Sequence, residues 1–287
     1  FTTHSNHFLD ITFDYNQISV YTFKKELHDK GEKIHSAKFE IQNVSNENNK
    51  ALELLGVKNS SVFLTNCTIW VEGITDRKYI AHYLTCYQDS LIAEHEKCLS
   101  SQSDTPKPKR FKEDLHYSFV EYSGANITHW SFLGEEDSIK VERLCSKLFL
   151  ISDKDDPEDK TKSKRRQKLK ERLGKRFYCL KCREVENLLT PDALKKVIKE
   201  YGEDISNIPD IKFKDYQDKY LGTFIEKNIL KGKRTRNGSY STGSGTITQK
   251  LSFCEKALKY IEKFEDLSDE AKRLTKLIYE FIKENNS

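Results

Sequence analysis

The stretch LFLISDKDD, residues 148–156, carries much of the information about how this chain folds. Its first five residues are apolar or small, which predicts a strand buried in the core. Asp153, Asp155 and Asp156 follow at once, and carboxylates this close repel one another and resist joint ionisation. A divalent cation would remove that cost. A solvated turn is the simpler alternative, because aspartate is favoured in turns, and at this point it stays open.

The same pattern, an apolar run that ends in polar or small residues, occurs three more times. The four runs are SVFLTNCTIWVEG from residue 61, HYSFVEYSG from residue 116, KLFLISD from residue 147 and RFYCLK from residue 176. Helical spacing of apolar residues follows the first run, in residues 75–92. Strands that alternate with helices predict an α/β fold with a mostly parallel, Rossmann-like sheet flanked by helices. Residues 196–287 are predicted to form a helical C-terminal extension.

Carboxylates recur where the predicted strands end. They are Glu72 and Asp76 after the first run, Asp153 and Asp155 after the third, and Glu184 and Glu186 after the fourth. In parallel sheets, function collects at the carboxyl ends of the strands. Mg²⁺ prefers oxygen ligands, and such a site suits phosphoryl chemistry. Ordinary surface carboxylates, with Asp76 as a partner of the helix dipole, remain the alternative.

Composition limits the class of protein. The 287 residues are 36% hydrophobic and 33% charged, with a net charge of +4 and no long apolar run or signal peptide, so we expect a soluble, cytoplasmic chain without a membrane span. The seven cysteines include one C-x2-C pair, Cys179 and Cys182, for which ordinary burial is favoured over zinc. The chain starts at Phe1 and has no methionine, so we expect that residues upstream are missing.

Taken in order, these carboxylates resemble the TOPRIM domain over residues 62–190. Glu72 matches the glutamate after the first TOPRIM strand, and Asp153 and Asp155 match the later Asp-x-Asp motif. The E-x3-D spacing at Glu72 and the stretch REVENLL, residues 183–189, are similar to OLD (overcoming lysogenization defect) family nucleases. The resemblance implies phosphodiester cleavage with two Mg²⁺ or Mn²⁺ ions. It also implies a late lysine that stabilises the transition state, for which Lys250 is preferred over Lys231 and Lys233.

The first residues, FTTHSNHFL, are similar to the switch-histidine segment of ABC-type ATPases, which OLD proteins join to the nuclease. The resemblance implies that His4 senses the γ-phosphate of ATP and that the protein forms oligomers through the ATPase part. The G-x4-G-K-[ST] loop is absent from the chain, so ATP binding would need the missing part. The domains expected are the end of the ATPase with a connector (1–50), the TOPRIM catalytic domain (51–195) and the helical extension (196–287).

Two segments are strongly basic. Residues 160–173, KTKSKRRQKLKERL, predict a helix that contacts a phosphate backbone, although a solvated face is as good an explanation. Residues 231–250 form a Gly/Ser-rich loop, predicted to be mobile unless something anionic orders it. The predicted nucleic-acid contacts are Lys164, Arg165, Arg166, Lys168, Lys231, Lys233 and Arg234.

The function that the resemblance implies is a metal-dependent DNA endonuclease within an ATPase-linked anti-phage defence protein. Cleavage of RNA such as tRNA is one alternative. A catalytically silent TOPRIM scaffold that binds nucleic acid and the ATPase is the other.

Overall fold

The structure is a computed structural model that describes residues 21–28, 36–43, 65–99, 107–122, 130–131, 139–140, 147–154, 160–206, 208–235 and 237–286. It divides into two compact units, Phe1–Leu64 and Thr65–Ser287. In the first unit, strands β1 (Tyr21–His28) and β2 (Ser36–Asn43) pair antiparallel. Residues 196–287, predicted as a helical extension, lie within the second unit, which also contains the main sheet described below. His4 lies outside the described residues.

A parallel sheet of four strands forms the centre of the second unit. The strands are β3 (Cys67–Val71), β4 (Tyr117–Glu121), β7 (Leu148–Ser152) and β8 (Phe177–Cys179), and a short parallel pair, β5 (Trp130–Ser131) and β6 (Ile139–Lys140), lies between β4 and β7 in the chain. The order across the sheet is β4-β3-β7-β8, and every neighbouring pair is parallel. This confirms the predicted α/β fold with a Rossmann-like parallel sheet.

Helices surround the sheet and continue to the end of the chain. They are α1 (Ile74–Leu99), α2 (Lys160–Leu173), α3 (Pro191–Glu200), α4 (Phe213–Tyr216), α5 (Leu221–Phe224), α6 (Lys250–Leu258) and α7 (Asp269–Glu284). Turns of 3-10 helix span Gly174–Arg176, Val185–Leu188 and Phe264–Asp266, and a π-helical turn spans Ile225–Ile229. None of the described helices has the length and apolar character that a membrane span requires.

The core runs without a break from the sheet into the C-terminal helices. All five residues of β3 are buried, as its apolar run predicts. Phe149 of β7 packs against Phe281 of α7 with ring centroids 5.4 Å apart, and Tyr87 of α1 meets Tyr279 of α7 edge to face at 5.2 Å. Aromatic pairs of this kind add to the gain from burial, so α7 is part of the core.

Candidate metal centre

The candidate site lies at the edge of the sheet where β3, β7 and β8 end. In the parallel register, Trp70 of β3 is opposite Leu150 of β7, and Ser152 of β7 is opposite Cys179 of β8. The three strands therefore end nearly level, and the residues after them come together. These residues are Glu72 after β3, Asp76 in the first turn of α1, Asp153 after β7, and Glu184 and Glu186 in the segment after β8.

Asp76 is the carboxylate best defined by its surroundings. Its Oδ2 accepts a hydrogen bond from the backbone N–H of Gly73 at 3.1 Å, which fixes the side chain at the start of α1. Burial, reinforced by the charges of Glu186 and Glu72, raises the pKa of Asp76 to about 8, although Lys250 acts in the opposite direction. The carboxylates of three separate segments therefore act on one another directly.

Asp153 and Glu186 belong to the same cluster, although Asp153 is partly exposed and Glu186 is fully buried. Burial raises the pKa of Asp153 well above its usual range, and the charges of Asp76, Glu72 and Glu186 raise it further. Burial also raises the pKa of Glu186, whose side chain is fully inaccessible. Ionising this group of carboxyls together is costly unless positive charge is brought to them.

Two buried oxygens of this cluster, Asp153 Oδ1 and Glu186 Oε1, have no hydrogen-bond partner among the described residues. A third, Glu184 Oε2, accepts no hydrogen bond but lies 3.4 Å from Lys250 Nζ. A buried acceptor without a partner costs about 1–3 kcal/mol, so native proteins rarely leave one unless it has a function. Oxygens of this kind, on carboxylates from different strands, are suitable ligands for a hard divalent cation.

Lys250 supplies the positive charge that the described residues bring to the cluster. Its Nζ lies 3.4 Å from Glu184 Oε2 and 3.5 Å from Glu186 Oε2. Burial alone would lower the pKa of Lys250, but the surrounding carboxylates hold it above its ordinary value. By contrast, Lys231 and Lys233 are exposed in the turn after the π-helical segment. Of the three lysines considered from sequence, the structure brings Lys250 to the carboxylates.

The Gly/Ser-rich loop before Lys250 is held by an anion from the protein itself. Glu226 accepts hydrogen bonds from Ser239 Oγ at 2.6 Å, Tyr240 N at 2.7 Å and Ser241 Oγ at 2.8 Å. Burial acts to raise the pKa of Glu226, but these hydrogen bonds outweigh it and lower the pKa below its ordinary value. The composition of the loop predicts that it is ordered only by an anionic partner. Glu226, a side chain of the same chain, is such a partner.

The same loop leads into α6, which begins at Lys250. Thr248 N donates to Tyr240 O at 2.9 Å, which closes the loop on itself. Gly222 lies against it so closely that a Cβ would stand 2.6 Å from the carbonyl oxygens of Tyr240 and Thr246. The chain then passes through Gln249, in the left-handed region at φ 50°, and enters α6 at Lys250.

Asn187 is a structural residue of the site that sequence reasoning missed. It is fully buried, and its Nδ2 donates to the carbonyl oxygens of Tyr216 at 2.7 Å and Lys219 at 3.0 Å. Its Oδ1 accepts from Glu184 N at 3.3 Å. These hydrogen bonds fix the turn that carries both glutamates. Glu184 and Asn187 form a capping box around this turn, but they do not match the usual Ser/Thr-x-x-Glu/Gln pattern that would indicate one from sequence.

The remaining predicted site residues are distributed as follows. Lys164 and Lys168 are exposed on α2, Arg166 is partly exposed, and Leu169 and Leu173 anchor the helix in the core. Arg234 forms an ion pair with Glu226 at 3.5 Å and remains exposed. Cys182 is buried and Cys179 is half-buried with its Sγ 3.6 Å from Asp153 O, and neither forms a disulfide. Asp155, Asp156 and the side chain of Arg165 lie outside the described residues.

Comparisons of this chain with protein-family models, with curated proteins and with solved structures found no match. The site must therefore be judged on its own chemistry. Within the described ranges, no three His, Cys, Asp or Glu side chains are arranged so that they could hold a metal ion directly. The side chains are nevertheless of the type that binds hard divalent cations, and the buried oxygens Asp153 Oδ1 and Glu186 Oε1 have no hydrogen-bond partner among the described residues.

Proposed function

We propose that residues 65–287 form a metal-dependent nuclease that hydrolyses the phosphodiester bonds of DNA with two divalent ions. The observation that supports this most is the convergence of carboxylates from β3, α1, β7 and the turn after β8 around Lys250. Such a group is costly for a protein to bury and is well suited to bind Mg²⁺ or Mn²⁺.

The resemblance to OLD nucleases supports a division of the residues between two ions. Glu72 and Asp76 would hold one ion with help from Asp153 or Asp155, and Glu184 and Glu186 would complete the second. When bound, the ions supply Lewis acidity and a hydroxide nucleophile for attack on phosphorus.

Lys250 has a separate role in this proposal. Its ammonium is paired with the two glutamates at 3.4 and 3.5 Å. Once that negative charge is neutralised, Lys250 can donate to an oxygen of the phosphate. There it stabilises the negative charge that develops in the transition state, the kind of contact whose removal costs about 100- to 1000-fold in rate.

The wider setting of the nuclease is proposed on the resemblance to OLD proteins. In that setting the chain is the nuclease part of an ATPase-linked protein of anti-phage defence, active as an oligomer. ATP binds in the part upstream, and His4 senses its γ-phosphate.

The test is cleavage of plasmid DNA, single-stranded DNA and tRNA by the full chain with Mg²⁺, with Mn²⁺ or with chelator. Asp153→Asn should lower the rate at least about 100-fold. Asp210→Asn, a change at an exposed aspartate, is the control and should have no effect. Cleavage that persists in chelator or in Asp153→Asn would overturn the metal site. Cleavage of tRNA alone would assign RNA as the substrate, and the lack of cleavage under every condition would favour the silent scaffold.

A further inference from the structure

A short segment, residues 216–220, is attached to the rim of the carboxylate cluster. The backbone N–H of Arg183, the residue before Glu184, donates to Gln217 O at 2.7 Å. Lys154, the residue after Asp153, forms an ion pair with Asp218 at 2.6 Å. The segment is thus fixed to the residues next to two different carboxylates, and its last residue, Tyr220, contacts Arg183, the residue before Glu184.

That last residue is an exposed aromatic ring. Tyr220 is 38% exposed, and the guanidinium carbon of Arg183 lies 3.5 Å from the centre of its ring. Gly245 holds it from another direction, since a Cβ there would come within 3.0 Å of Tyr220 Cβ. These contacts limit the orientations of the ring before any ligand binds, which lowers the entropy lost on binding.

The surroundings of Tyr220 are cationic as well as aromatic. Arg183 is partly exposed and Lys219, the preceding residue, is exposed. Aromatic rings and arginine planes beside positive charge form the usual surface on which proteins stack unpaired bases of single-stranded nucleic acid. A base inside a continuous duplex is already stacked on its neighbours and does not offer a free face.

We propose that Tyr220 and Arg183 form a stacking platform for one unpaired nucleobase next to the phosphate that is cleaved. The inference rests on the proposed nuclease function, and it narrows the substrate to nucleic acid with an unpaired nucleotide at the site. Single strands, frayed ends, flaps and loops satisfy this condition, and uninterrupted duplex does not.

Binding measured without cleavage tests the platform. The full chain is titrated, with Ca²⁺ in place of Mg²⁺, into fluorescein-labelled single-stranded DNA, single-stranded RNA and duplex DNA of one sequence. Tyr220→Ala should weaken single-strand binding about 5- to 100-fold, because it removes one base stack. Tyr220→Phe should bind as the wild type does, and so should Leu277→Ala, which truncates a comparably exposed side chain on α7. Duplex binding should change less than about 2-fold in all three variants, since a paired base has no face to offer the ring.

Abasic substitution makes the test specific to a base. One base at a time is removed from the DNA strand, and a single position should cost the wild type as much as Tyr220→Ala does. The same abasic position should cost Tyr220→Ala nothing more. A flat abasic scan, or single-strand binding by Tyr220→Ala equal to that of the wild type, would overturn the platform.

The two proposals fail in different ways. Cleavage that depends on Asp153 together with unchanged binding by Tyr220→Ala would remove the platform and leave the nuclease. The expected abasic pattern in a protein that cleaves nothing with Mg²⁺ or Mn²⁺ would leave the platform and remove the nuclease.

Discussion

Asparagine in place of Asp76 is expected to stabilise the metal-free protein as the pH rises. Asp76 is 8% exposed, and burial, with the charges of Glu186 and Glu72, raises its pKa to about 8. In the unfolded chain the pKa of an aspartate is near 4. Between about pH 4 and 8 the folded state therefore keeps a proton that the unfolded state releases. Raising the pH through this window favours unfolding.

The size of the effect follows from the width of that window. Each pH unit within it lowers the free energy of unfolding by about 1.4 kcal/mol for one retained proton. From pH 5 to pH 8 the loss through Asp76 is about 4 kcal/mol. For a unit of this size that corresponds to roughly 8–16 °C in Tm. The asparagine of the Asp76→Asn variant has no such proton to lose, and its side-chain oxygen can still accept the hydrogen bond that Gly73 N donates at 3.1 Å in the wild type.

Thermal unfolding in chelator, followed by circular dichroism from pH 5 to pH 8, measures this difference. The Tm of Asp76→Asn minus that of the wild type should grow with pH, whereas Asp210→Asn should follow the wild type throughout. Added Mn²⁺ should raise the Tm of the wild type most at pH 8 and should reduce the difference. Parallel curves would refute the reasoning. A lower Tm for Asp76→Asn at pH 8 would mean that Asp76 is ionised in the fold and stabilised there by Lys250.

Three further outcomes are expected. Lys250→Gln should lower the Tm in chelator at pH 8 and tighten the binding of the first Mn²⁺ in calorimetric titrations, since no internal cation then competes; weaker Mn²⁺ binding would contradict this. Gly222→Ala, whose Cβ would meet two carbonyl oxygens at 2.6 Å, should cost about 1–3 kcal/mol in urea unfolding. Gly243→Ala, with open space around the added Cβ, should cost little, and equal midpoints for the two would show that the loop gives way. The double variant Lys164→Glu, Lys168→Glu should make the fall of log affinity for nucleic acid with log salt shallower by about 2 in slope. An unchanged slope would mean that α2 is a solvated face.

Sequence indicated the strands and the acidic edge because both depend on local or regular patterns. The apolar runs of β3 and β7 are buried as expected, and the carboxyl ends of parallel strands gather wherever such a sheet forms. The position of Lys250 does not follow from any pattern, because it depends on how the loop held by Glu226 delivers α6 to the sheet. Only the packing brings its Nζ to 3.5 Å from Glu186 Oε2.

The stack of Arg183 on Tyr220 could not be inferred for a related reason. The two residues are far apart in the chain, and no local pattern in the sequence indicates that they meet. Their contact depends on Asn187, whose side chain holds Tyr216 O and Lys219 O and so brings the end of the segment to the turn after β8. A buried amide of this kind acts through tertiary structure, and its capping box does not follow the usual sequence pattern.

If the cluster binds metal as proposed, its balance of charge favours two divalent ions over one. Among the described residues, five carboxylates surround the single ammonium of Lys250, so full ionisation leaves four negative charges in excess. Buried charges are stable only when they are paired, and replacing such a group by apolar side chains commonly stabilises a protein. The stability of the fold therefore does not explain why the protein buries these carboxylates together. Without metal, protons offset part of the excess, which is what the raised pKa values of Asp76, Asp153 and Glu186 express. Two divalent cations carry four positive charges and would offset all of it at neutral pH, whereas one would leave two carboxylates to be protonated.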